Sequence, residues 1–545
     1  MKPLHMADLK RFPVLACLLL AQMICLAYHW QAFFLEMFRG PSTISQPLTQ
    51  ALAAAIAVLI GLAVSARLWS GPGTERFAIS ALAHVAALAL FHYFIGLAAG
   101  RLIGLATPVF LAISLPTGVA AWRDRRAHPS PPPPPEPPFC AWDAAGALIL
   151  AALLITLFFP YIHYDTKFIW ACRAFALDQT PSFAALAGCA QPYAQKAGPS
   201  YPPVWSILLW LGVRDPIFQG RLLAWTLLPL FALFFRARLA RVDARLAPAA
   251  LLFLLATGWV WDGAATYYAD VPLMIFLVTG SLLALGLPCR PSGERPPAVR
   301  KSVRPAPAWR KEIRPPGTCG TSDNAGAELP IPQAPAMEKL AGVLCLGAAV
   351  LMRPDGLYTL AVVAAAAAWS RLRRKASFPA WPFLAALAVA LSWLLWRPGS
   401  LDVAPQYLSP NGLWRGTGAT SGKALWNLLR VFLSAGQGQW LSHWGVGAIF
   451  YLLAALAIWS RWRAAPAQED TRFFGLVSLL FIFALAFCFA ALPFVGDPTV
   501  SCAPGTDYLV TYEQFIRTGL GRMTVHLYPF FVLWGVAAVR DAAEA

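Results

Sequence analysis

AAGALILAALLITLFFPYI, residues 144–162, runs directly into HYDTKFIWACRA, residues 163–174. The first part carries no charge over 19 residues, within the roughly 17–25 that a helix needs to cross a bilayer. The second part places Asp165 just past the end of that run, with Tyr164, Lys167, Trp170 and Arg173 close by. A carboxylate at the edge of hydrocarbon is costly and sits there with a partner or a task. The stretch therefore predicts a spanning helix that opens into a polar loop at the membrane surface.

The same pattern recurs along the chain. Hydrophobic residues make up 58% and charged residues only 13% of the 545, against about 25% charged in soluble domains. Mean hydropathy is +0.57. Apolar runs predict spanning helices at 13–35, 48–68, 77–99, 102–122, 144–162, 217–235 and 247–261. Others follow at 271–287, 340–352, 356–369, 380–396, 444–459, 473–493 and 523–539. The expected fold is an all-α polytopic membrane protein with about 14 transmembrane helices. The 340–352 and 356–369 pair also reads as one helix broken at Arg353-Pro354-Asp355-Gly356. The N-terminus, with no small-residue cleavage site, reads as a first helix rather than a signal peptide.

The net charge of +17 points to the positive-inside rule rather than to nucleic acid. Of the 43 Lys and Arg residues, 29 fall in alternate loops, including Arg236–Arg245, Arg290–Arg314 and Arg371–Lys375. Those loops are assigned to the cytoplasm, which puts Asp165 outside. Residues 201–213, YPPVWSILLWLGV, are too short to span and read as a juxtamembrane or re-entrant helix begun by Pro202 and Pro203. Five consecutive prolines at 131–135 mark an extended cytoplasmic linker, 123–142, after an N-terminal four-helix unit, 1–122. Residues 288–337 form a basic loop without apolar periodicity, expected to be disordered. They separate the first part of the core, 143–287, from its C-terminal part, 338–545. Of ten cysteines, only Cys172, Cys189 and Cys502 lie in loops assigned outside, where a Cys172–Cys189 bridge could persist.

Four places carry groups suited to chemistry. Asp165 is either the N-cap of a short surface helix or a proton acceptor. Asp270, in Tyr268-Ala269-Asp270-Val271-Pro272, either caps the helix begun by Pro272 or joins a site. Arg353 either pairs with Asp355 or presents its fork to a phosphate. Arg522 lies at an outer boundary with His526 one turn on along the same face, either snorkelling to headgroups or meeting a lipid phosphate. Gly418-Ala-Thr-Ser-Gly422-Lys423-Ala424 has the wrong spacing and ending for a phosphate loop.

Taken in order, these motifs resemble the GT-C superfamily of polytopic membrane glycosyltransferases. That group includes bacterial relatives of the protein O-mannosyltransferases and the lipid A aminoarabinose transferase. The resemblance rests on Asp165-x4-Trp170-x2-Arg173-Ala174, Tyr201-Pro202-Pro203 and Tyr268-Ala269-Asp270-Val271-Pro272-Leu273. Arg353-x-Asp355-Gly356 and Arg522-x3-His526-Leu527-x-Pro529 complete it, over residues 144–539. It implies a GT-C-like core with periplasmic juxtamembrane helices, set in a bacterial inner membrane with the active site facing the periplasm. It also implies an inverting transfer of a sugar from a polyprenyl-phosphate donor to a hydroxyl of a glycan, lipid or protein. Asp165 would then be the base and Asp270 its assistant, with Arg353 and Arg522 on the donor phosphate. Tyr164, Trp170, Arg173, Tyr201, Asp355 and His526 would line the substrate site. A divalent cation shared by Asp165 and Asp270 is left open. Arg353 and Asp355 stand where members of the family often carry Lys and Glu. A transporter or flippase of lipid-linked saccharides, or a non-catalytic assembly subunit, are the competing expectations. A transporter would show internal repeats, and none is visible in this sequence.

Overall fold

The computed structural model describes residues 73–107, 109–110, 112–113, 140–155, 166–187, 201–211, 216–287, 334–373, 379–396, 469–495 and 523–544. Every described element is helical. In chain order they are α1 (Gly73–Ala99), α2 (Ala141–Ile155), α3 (Cys172–Gln179), α4 (Val204–Trp210), α5 (Pro216–Val242) and α6 (Ala247–Leu255). Then come α7 (Gly258–Ala265), α8 (Asp270–Leu285), α9 (Ala334–Val350), α10 (Asp355–Arg373), α11 (Trp381–Trp396), α12 (Glu469–Val495) and α13 (Tyr528–Glu544). The stretch Thr74–Leu105 and the helix Gln219–Val242 are long and apolar enough to cross a membrane. The pair α6 and α7, bent by 56° at a short break, makes a third such segment if counted as one. The predicted helices at 13–35, 48–68 and 444–459 lie outside the described residues.

Helix α8 is the centre of the bundle, because all 16 of its residues are buried. A helix apolar all round has no face to give to water, and α8 is surrounded by α5, α9, α10 and α13. Its closest neighbour is α9. A Cβ on Gly280 of α8 would lie 2.9 Å from the Gly342 carbonyl oxygen, and one on Gly342 would lie 2.8 Å from the Ala284 nitrogen. The two backbones therefore touch where each chain lacks a side chain, the packing that small residues permit between apolar helices. On the outside, α11 exposes Leu384, Leu387, Leu391, Leu394 and Leu395 along its length. Such a continuous apolar face suits lipid rather than water.

Ion pairs fix one end of the bundle. Glu75, at the start of α1, takes Arg238 at 2.9 Å and Arg241 at 2.5 Å, both from the last turns of α5. Arg238 also reaches the Leu287 carbonyl at 3.0 Å and Glu338 of α9 at 3.8 Å. Arg236 grips Asp143 of α2 through two bonds of 2.6 and 2.8 Å. Arg540 and Asp541 of α13 join Thr471 of α12 at the same end, and Arg540 reaches the Val242 carbonyl. Helix α1 thus packs into the bundle against α5 and α9. Its sequence, lying before the proline-rich linker, had suggested a unit set apart from the core.

Several boundaries differ from the sequence reading. The run 247–261 is two helices, because the chain turns at Ala256–Thr257. The run beginning at 102 opens with a tight turn of helix, Gly100–Leu105, after Gly100 takes φ +49°. Helices α9 and α10 are separate, broken at Leu351–Pro354, where Pro354 cannot continue the ladder. The 201–213 segment contains α4, but all seven residues of that helix are buried. It is covered by protein on every side instead of resting on the surface of the bundle.

Candidate functional site

Three interruptions of the helices meet at the end of the bundle away from Glu75. One is the turn Thr266–Ala269 before α8, one is Leu351–Pro354 between α9 and α10, and one is His526–Leu527 before α13. Each has a proline that accounts for it: Pro272 in the first turn of α8, Pro354, and Pro529. Non-helical backbone inside a membrane bundle is tolerated where protein or a water-filled cavity covers it. At Tyr267 the chain adopts φ +45°, a left-handed conformation that costs an aromatic residue about 1–3 kcal/mol. The turn is held in place by Trp205 of α4, whose indole N–H donates to the Tyr267 carbonyl at 3.0 Å.

Four of the side chains expected in the site converge on these breaks. The Arg353 guanidinium donates through Nη1 to Asp270 Oδ1 and through Nη2 to Asp355 Oδ2, the latter at 2.8 Å. His526 Nε2 lies 2.8 Å from the same Asp270 oxygen. Asp270 is therefore where α8, the α9–α10 break and the approach to α13 are joined. Accessibility grades across the cluster: Asp355 is 26% exposed, Arg353 12%, Asp270 4% and His526 0%. Asp355 is thus the member nearest solvent. His526, fully buried, backs Asp270 from inside the bundle.

Trp170, Arg173 and Tyr201 form a second group. The Trp170 and Tyr201 rings meet edge to face with centroids 5.2 Å apart, and Trp170 is buried rather than at an open interface. Arg173 is fully buried and donates to the Leu186 carbonyl at 2.8 Å and the Tyr201 carbonyl at 2.9 Å. Its guanidinium also lies 6.0 Å from the centre of the Trp393 ring. Burial pushes Arg173 down to about 9, which leaves it charged at neutral pH. Two further bonds tie this group to the first. Val204 N–H donates to the Leu351 carbonyl at 3.1 Å, and the Thr166 hydroxyl donates to the Thr266 carbonyl at 3.0 Å.

Tyr164, Asp165 and Arg522 lie outside the described residues. Thr166, the next residue after Asp165, is fully buried against the turn that precedes Asp270. Thr166, Thr266, Trp205 and Tyr267 were not singled out in the sequence, because all four act by giving or receiving a bond at a backbone carbonyl, which leaves no pattern. The one available signal was the pair Tyr267-Tyr268 beside an acidic residue at a helix start. Among the described residues no group of three His, Cys, Asp or Glu side chains is placed to hold a metal ion. Comparison with known protein families, with curated proteins and with solved structures finds no match.

Proposed function

We propose that the protein is an inverting glycosyltransferase of a cell membrane, using a polyprenyl-phosphate-linked sugar as donor. The observation that carries this reading is the joining of Asp270, Arg353, Asp355 and His526, drawn from three distant parts of the chain, at one end of the bundle. Acid and base at the breaks of apolar helices suit a substrate that arrives with an anionic head and a lipid tail. A polytopic fold with about 14 spans, its site facing the periplasm, belongs to the same proposal. Cys172, two residues beyond Trp170, is disulfide-bonded. A structural disulfide persists in an oxidising compartment, which supports an outward-facing site.

In the proposed reaction the acceptor hydroxyl attacks the anomeric carbon as Asp165 takes its proton. The new bond forms from the acceptor oxygen to that carbon, and the carbon–oxygen bond to phosphate breaks. The electron pair leaves on the polyprenyl phosphate, where a guanidinium stabilises it. Asp270, held by Arg353 and His526, keeps the guanidinium aimed. Replacing Asp165 with Asn should lower transfer about a hundredfold, the scale of losing a general base, with insertion and folding kept. The measurement is release of polyprenyl phosphate by the protein in lipid nanodiscs. Unchanged release in Asp165→Asn would remove Asp165 from the base role.

Arg353 already faces two carboxylates, so a donor phosphate has to take the place of one. Asp355 is the exchangeable one, being the most exposed of the cluster, and Asp270 is the fixed one. Asp355→Asn should therefore lower the KM for the donor about threefold to tenfold, since less attraction has to be broken before phosphate docks. A raised KM in that variant would mean that Asp355 holds Arg353 in place rather than competing with the donor. A flippase would share the anion-binding logic. Among the described residues the Asp270–Arg353–Asp355–His526 cluster sits at one end of the bundle, which favours the enzyme, because transport needs polar groups through the midplane.

A further inference from the structure

Among the described residues Arg173 is the most buried cation at this end of the molecule, and neither of its hydrogen-bond acceptors is a side chain. Its Nε takes the carbonyl of Leu186, 13 residues on, and its Nη1 takes that of Tyr201, 28 residues on. One planar group therefore closes the loop between α3 and α4 at two points. An ammonium on a flexible stem has no fork with which to hold both carbonyls in fixed directions. The chain held by Arg173 leads directly into the site. Tyr201 is followed by Pro202 and Pro203, and Pro203 caps α4. Prolines fix φ, so the position of the Tyr201 carbonyl is passed stiffly to Val204. Val204 N–H holds the Leu351 carbonyl, two residues before Arg353. The neighbouring face of α4 is packed against α5 and α1, so the segment has little freedom to absorb a shift.

We propose that Arg173 is a positioning residue: through Tyr201, Val204 and Leu351 it sets the angle at which Arg353 meets Asp270 and a docking anion. The segment from Tyr201 to Val204 and the ion-paired cluster then move as one unit. The proposal deepens the transfer reading, but its structural arm is independent of that reading. Arg173→Lys keeps the charge and loses the two-point grip.

The test is amide hydrogen exchange of the full chain in nanodiscs, read on peptides covering residues 201–210, 351–355 and 236–242, alongside donor kinetics. In Arg173→Lys, exchange should rise about tenfold in the first two peptides together and stay unchanged in 236–242. The KM for a polyprenyl-phosphate-linked sugar should rise about tenfold, with the acceptor KM held. In the unaltered protein, residues 201–210 and 351–355 should open at one denaturant concentration, a measurement that needs no variant. Independent opening of those two peptides would refute the link. So would full rescue by lysine, which would show that charge alone matters. If exchange behaves as stated while the unaltered protein turns over no lipid-linked sugar, the transfer reading fails and the positioning role stands.

Discussion

Asp270→Ala should destabilise the protein by about 3–5 kcal/mol, the cost of removing one partner from a buried charge pair. Two groups lose their acceptor at once. Arg353 is left with Asp355 as its carboxylate in this cluster, which is a quarter exposed and so a weaker partner in a more screened setting. His526 is fully buried, and its other nitrogen, Nδ1, has no hydrogen-bond partner among the described residues. Without Asp270 the ring would have neither nitrogen satisfied, a further penalty of about 1–3 kcal/mol in the same total. Asp270→Asn is the milder test, because the amide oxygen still accepts one bond while the charge is gone. It should cost roughly half as much as Ala and should still lower transfer about a hundredfold, since Arg353 is no longer drawn to a fixed oxygen. Thermal unfolding in detergent with transfer measured on the folded fraction separates the two effects. A fully stable Asp270→Ala would mean that the ion pairs at this end contribute nothing to the fold.

That prediction also shows what a sequence can and cannot reveal here. Arg353-Pro354-Asp355-Gly356 announced itself, because charges and a proline interrupt an apolar stretch, and the structure breaks there. Gly356 fits the same break: a Cβ at that position would lie 2.5 Å from the Ala349 carbonyl oxygen. Asp270 and His526 were visible as polar residues at helix ends, but their pairing was not. They are 256 residues apart, and nothing in spacing or composition links two such positions. Arg353 had two readings, a bond to Asp355 or a phosphate. The structure adds a third partner, Asp270, that neither reading included. Trp170 was legible as an aromatic at a membrane edge, yet it is buried. A belt tryptophan and a core tryptophan have the same neighbours in sequence and differ only in what packs over them. Arg173 was harder still. A side chain that works on backbone carbonyls has no partner residue type to look for.

The other end of the bundle gives the second large effect. Glu75→Ala should also cost about 3–5 kcal/mol, and the reason lies in Arg238. That guanidinium is 0% exposed, and Glu75, 1% exposed, is its nearest carboxylate at 2.9 Å. Without Glu75 it retains the Leu287 carbonyl and Glu338, the latter 3.8 Å away, at the limit of an ion pair. Burial pushes Glu338 towards its neutral form, so it is poorly suited to take over the full charge. Arg241, 29% exposed, can turn to solvent and adds little to the loss. The double variant Glu75→Leu with Arg238→Met should recover most of the stability, because apolar groups of similar volume can replace a buried pair at little cost. Recovery in the double variant would assign the single-variant loss to a stranded charge rather than to lost packing. The position of Glu75 gives the result a wider meaning. It lies at the start of α1, on the far side of the proline-rich linker from the rest of the core. A neutral Glu75→Ala would show that α1 is a detachable neighbour. A loss of the size stated would make it part of the same cooperative unit as α5 and α9, so that truncating the chain at the linker should unfold the bundle that carries the site.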